Sequence, residues 1–191
     1  MRIDSKLNFV FPVETDQGNI YVHSMPIARV VFETYYDVLG KVFTRCFDGQ
    51  DAKHVALTAP QLALPALKAL ATEAGNWEGV TGVRNGLLNE IIRLTNISHV
   101  GPNGWESLPL ELARQKEIVD EESLNEVLSS LVFFTSISKV APRSLAGTFL
   151  EMAGSLRNWQ FGRYSITEFT NSLRTSNQEE TTTVNTSPVV S

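Results

Sequence analysis

The sequence predicts a mainly α protein: a single helical, bundle-like domain with an N-terminal β-hairpin and a disordered C-terminal tail. Three observations carry that expectation. From about residue 24 to residue 173 apolar residues recur every three or four positions, the period of a helix with one buried face. Only the opening stretch alternates with the period of two that a half-buried strand requires. The last 17 residues, Thr175 to Ser191, include eight Ser or Thr and no aromatic residue, so little burial there opposes the entropy of ordering.

Length and composition agree with one domain over residues 1–174 and a tail over 175–191. The chain has 191 residues, 42% hydrophobic and 19% charged, and a chain of this size buries roughly 70% of its unfolded surface. Its one cysteine, Cys46, means that it folds without an internal disulfide. A formal net charge of −5 argues against nucleic acid or an anionic membrane surface as main partner, since both reward basic patches. No run of 18 apolar residues marks a membrane span. Met1 to Lys6 lacks the apolar core and cleavage site of a signal peptide. An intracellular protein is expected.

Leu7, Phe9 and Phe11 alternate with Asn8, Val10 and Pro12; Ile20 and Val22 alternate with Tyr21 and His23. Asp16-Gln17-Gly18-Asn19 between them is turn chemistry, which makes 7–23 a hairpin. Ser24 is placed to cap a helix that Met25-Pro26 opens and that runs to about Phe47. Ile27, Val31, Tyr35, Val38, Val42 and Cys46 form one apolar face. Phe32, Tyr36, Leu39, Phe43 and Phe47 form a second, beside a charged row of Arg29, Glu33, Asp37, Lys41 and Arg45 with Arg29–Glu33 and Asp37–Lys41 pairs. This helix is expected at the centre of the core, with Phe32, Tyr36, Phe43 and Phe47 as a candidate partner or self-association surface.

Thr58-Ala59-Pro60-Gln61 reads as a capping box opening a second helix, with Pro65 in its first turn or kinking it. A Gly-rich loop, Gly75 to Gly82, leads to a third helix through Val83, Leu87, Ile91 and Leu94. Gly101-Pro102-Asn103-Gly104 is a tight turn, and Trp105 to Leu112 an irregular or helical piece. Asp120-Glu121-Glu122 begins a long helix, with acids where the helix dipole favours them. Pro142 opens the next helix, through Leu145, Phe149, Met152, Leu156 and Trp159. Ser165-Ile166-Thr167-Glu168 is a second capping box before a short last helix.

Linear catalytic or metal motifs are absent. His23, His54 and His99 stand apart and suit surface or capping roles; Cys46 suits a buried apolar position. The Gly75–Gly82 loop lacks the preceding strand and the following Lys of a phosphate loop. Charge is concentrated instead. Residues 106–126 hold seven acids and two bases, and the rest of the chain is balanced. Glu117, Glu121 and Glu122 in this acidic shoulder are candidates for docking a basic stretch of a partner.

Several stretches together resemble tail assembly chaperones of long-tailed, non-contractile (siphovirus-type) bacteriophages. They are the hairpin with Tyr21-Val22-His23-Ser24-Met25-Pro26-Ile27 running into an aromatic-rich helix, Gly86-Leu87-Leu88-Asn89-Glu90-Ile91-Ile92-Arg93-Leu94-Thr95-Asn96, Asn103-Gly104-Trp105-Glu106 with Leu108-Pro109-Leu110, and Leu131-Val132-Phe133-Phe134-Thr135. The Glu168-Phe169 helix and the polar tail complete the pattern. The resemblance implies a non-catalytic, largely helical viral protein without cofactor or metal. It would act in the host bacterial cytoplasm, bind the helical tape-measure protein until tail-tube subunits enclose it, and be absent from the mature virion. It also implies a longer, frameshifted form that recruits tail tube protein. The A-rich slippery codons common at such sites would put a Lys near the end, whereas the last Lys here is Lys139. Two rival readings stand beside it: a structural virion protein, such as a head–tail connector or tail-completion subunit, and a small cytoplasmic enzyme or ligand-binding regulator.

Overall fold

A computed structural model describes residues 8–16, 18–47, 52–141, 143–162 and 165–183. Five antiparallel strands form one sheet in the order β4-β3-β2-β1-β5. They are β1 (Asn8–Thr15), β2 (Gly18–Ser24), β3 (Thr95–Gly101), β4 (Gly104–Pro109) and β5 (Gln160–Gly162). The helices are α1 (Arg29–Thr34), α2 (Tyr36–Phe47), α3 (Ala52–Glu73), α4 (Asn89–Arg93), α5 (Leu110–Gln115), α6 (Glu121–Val140), α7 (Arg143–Arg157) and α8 (Ile166–Thr183), with a π-helical turn at Arg84–Leu88. The expected helical bundle with a lone hairpin is therefore corrected to a mixed α/β fold. The hairpin is there, but as the inner part of a five-stranded sheet.

β3 escapes a periodicity reading because its neighbouring residues Ile97 and Ser98 are buried on opposite faces of the sheet. One face carries Phe9, Phe11 and Val13, opposite Ser24, Val22 and Ile20, and continues through Ile97 to Leu108. It packs on α6, where Phe9 stacks on Phe134 at 4.6 Å between centroids. Trp159 and Phe161 close the cluster at 4.8 and 5.2 Å from Phe9. The other face carries Tyr21, His23, Ser98 and Trp105. There α8 lies across it, with Phe169 against Tyr21, a Ser98–Thr170 hydroxyl hydrogen bond at 3.0 Å, and the Arg174 guanidinium donating to the Trp105 carbonyl. A strand covered on both sides shows no simple apolar–polar alternation. The result is three layers: helices, sheet and α8.

Within the helical layer the centre is α6, buried without a break from Val127 to Ile137, rather than the first long helix. That helix is in fact two, interrupted at Tyr35, and α1 has no buried residue. Ser24 ends β2 instead of capping a helix, and its Oγ accepts a hydrogen bond from Thr95. Both expected ion pairs form at 2.6 Å. The second helix begins at Ala52, so Pro60 and Pro65 lie inside α3 rather than at its start. Near these prolines the buried Ser129 of α6 accepts a hydrogen bond from the Leu64 amide at 3.1 Å, a side-chain partner where prolines weaken the helix ladder. α3 is also long and apolar enough, over Val55–Glu73, to meet the length and composition of a membrane span, contrary to the expectation. Here Val55, Ala59, Ala63, Leu67 and Ala71 form a stripe in the core.

Asp120 caps α6 through the Ser123 amide at 2.7 Å, and Ser165 and Glu168 bond reciprocally as the capping box requires. α8 runs to Thr183, past the expected start of a disordered tail at 175; residues 184–191 lie outside the described residues. Pro142 also lies outside them. Trp159 follows α7 rather than belonging to it.

Candidate partner-binding groove

An open groove of about 1270 Å³ lies between the second half of α3, the Trp77 loop, the π turn with α4, and α5–α6. Its lining combines apolar Leu64, Trp77, Leu88, Ile92 and Leu128 with Lys68, Arg84, Arg93 and Arg114. It continues, through shared Leu64, Lys68 and Asn125, into a 450 Å³ depression bordered by Glu122 and Glu126. Through Arg114 and Asn125 it continues into a 760 Å³ depression bordered by Asp16, Glu117, Asp120 and Glu121. The first turns of α6 thus form one wall of a continuous furrow.

Local structure holds the walls in place. The Trp77 loop is closed on itself: the Val83 amide donates to the Asn76 carbonyl, Arg84 to that of Trp77, and the Asn85 side chain to Gly79. Gly82 is required there, because a Cβ would lie 2.5 Å from the Glu78 carbonyl oxygen. Arg84 pairs with Glu78 at 2.8 Å. Arg93 grips Glu90 with two hydrogen bonds of 2.7 and 2.8 Å, which hold the Glu90 carboxyl below its ordinary range. Hydrogen bonds from Ser123 likewise lower the Asp120 carboxyl. Lys68 has no carboxylate partner among the described residues. The groove is an apolar strip between charged walls, the surface that an amphipathic helix or extended peptide complements.

The sequence candidates fall in two places. Glu117 and Glu121 border one end of the furrow and Glu122 the other, all exposed. Phe32, Tyr36, Phe43 and Phe47 do not reach it. Tyr36 is 57% exposed, and the other three are half-buried against the core. Phe47 packs edge-on against Phe149 at 4.4 Å, which makes it chiefly a core contact. Composition reading missed Lys68, Arg84, Trp77 and Ile92, because they meet only through the α3–loop–α4 reversal. His23 is buried in the sheet, correcting its expected surface or capping role. His99 is half-buried on β3, and the His54 side chain lies outside the described residues. Burial pushes the Cys46 thiol up to about 11. Among the described residues no group of three or more His, Cys, Asp or Glu is placed to hold a metal ion. No protein-family model, curated protein or solved structure matches the chain.

Proposed function

We propose that this protein is a non-catalytic assembly chaperone of the long-tailed phage type, which holds a helical segment of the tape-measure protein in the furrow along α6. The observation that carries the reading is the furrow itself: an apolar strip of Leu64, Trp77, Ile92 and Leu128 between charged walls, open to solvent along its length. A helix awaiting enclosure by a tube exposes apolar surface, and such a furrow covers it while leaving a polar exterior. The family resemblance of the sequence supports the same reading. Co-purification with the tape-measure protein tests it. Lys68→Glu with Arg84→Glu, both exposed, is expected to abolish co-purification while leaving the circular dichroism unchanged. Stoichiometric recovery of the chain from purified virions would instead favour a structural virion protein and sink the chaperone reading.

A further inference from the structure

We propose that the outer face of α2 is a self-association seam, along which two copies of this chain pair as antiparallel helices crossing at Gly40. The inference does not depend on the groove. It starts from a residue that nothing inside the chain explains. Gly40 sits in the middle of α2, where glycine disfavours the helix relative to alanine. Its φ is not positive, and a Cβ added there would meet no atom within 4 Å. The fold thus gains nothing from the missing side chain. A second helix does, because interaxial distance is set by the side chains at the crossing, and glycine permits the closest approach.

The surroundings suit such a partner. Tyr36 precedes Gly40 by one turn and is 57% exposed. Phe32 meets Tyr36 edge-on at 5.6 Å and extends the apolar rim. Phe43, with Leu70 and Val140 behind it, lines a shallow depression of about 570 Å³ beside Gly40.

Charge order identifies the partner as another copy. Along α2 the sequence is Asp37, then Lys41, then Arg45. When this face meets itself about a two-fold axis near Gly40, Asp37 of each copy comes opposite Lys41 and Arg45 of the other, so every contact is made twice with opposite signs. Within one chain Asp37 pairs with Lys41 at 2.6 Å, but both side chains are more than half exposed, so the pair is weak and open to exchange. Arg45 has no carboxylate partner among the described residues.

Sedimentation velocity of the full chain over a concentration series provides the test. The native chain is expected to show a monomer–dimer equilibrium. Asp37→Lys, and separately Lys41→Asp with Arg45→Asp, set like charges opposite each other and are each expected to weaken the dimer roughly tenfold or more. Mixed in equal amounts, the two variants are expected to form a heterodimer, since both sets of contacts become attractive again. Gly40→Leu is expected to weaken pairing with unchanged circular dichroism. A native chain that stays monomeric, charge variants that dimerise like the native chain, or a mixture that does not pair would each overturn the proposal.

Discussion

A single close approach governs how the first helices meet the groove. The Tyr35 hydroxyl donates to the Thr81 carbonyl at 3.0 Å, tying the break between α1 and α2 to the loop that builds the groove wall. The space it occupies is that of a side chain at residue 86, where a Cβ would fall 1.6 Å from the hydroxyl oxygen. Gly86→Ala is therefore expected to cost about 1–3 kcal/mol, the usual penalty of overpacking, read from urea denaturation. Cys46 yields a pH dependence. Its thiol has an ordinary value of 9.0 and is raised to about 11 in the fold, so the folded chain keeps the proton to higher pH than the unfolded one. The stability tied to this group is complete below pH 9.0 and falls as pH rises towards about 11. Denaturation midpoints measured across that window are expected to fall less steeply in Cys46→Ala than in the native chain. Equal slopes would show that the thiol contributes nothing.

Among the elements, α8 has the most separable role, because it covers one sheet face through few anchors: Phe169 on Tyr21, Thr170 on Ser98, and Arg174 on the Trp105 carbonyl. Phe169→Asp places a carboxylate against a buried face, at a cost of several kcal/mol unless the helix lifts away. Hydrogen exchange is expected to show lost protection in 166–183 with the strands and α6 still protected. Unchanged protection of α8, or loss of protection throughout, would contradict that separability. The start of this helix was legible from Ser165 and Glu168, and that of α6 from Asp120, because a cap is decided within four residues. The hairpin of Phe9 and Val22 was legible because its register is local. What could not be read depends on contacts far along the chain. β3 hides because Ser98, a polar residue with no strand signal of its own, is buried by Thr170. The Tyr35 side chain at the helix break fits only beside a glycine at residue 86, and the prolines of α3 accompany a contact with Ser129. The groove was legible only at its acidic rim, since Glu117, Glu121 and Glu122 are neighbours in sequence whereas Trp77, Ile92 and Leu128 are not.

At the scale of the whole molecule, one aromatic cluster joins the layers. Phe9 of β1 touches Phe134 of α6, Trp159 and Phe161, so sheet and helices share a core. The order β4-β3-β2-β1-β5 places the first-made hairpin in the interior of the sheet, and its neighbours arrive from far downstream. Ser24 pairs with Thr95, and Phe9 with Phe161. On a ribosome this ordering becomes a matter of time. The hairpin emerges with both edges bare. One edge waits for residues 25–94 to be translated before β3 can cover it, and the other waits for β5 near residue 160. Bare edges template pairing with other chains, and pairings this distant form slowly. The pace of translation between the hairpin and β5 therefore sets how long each nascent chain presents an adhesive strand, and slow codons in that interval would lower soluble yield without changing any amino acid.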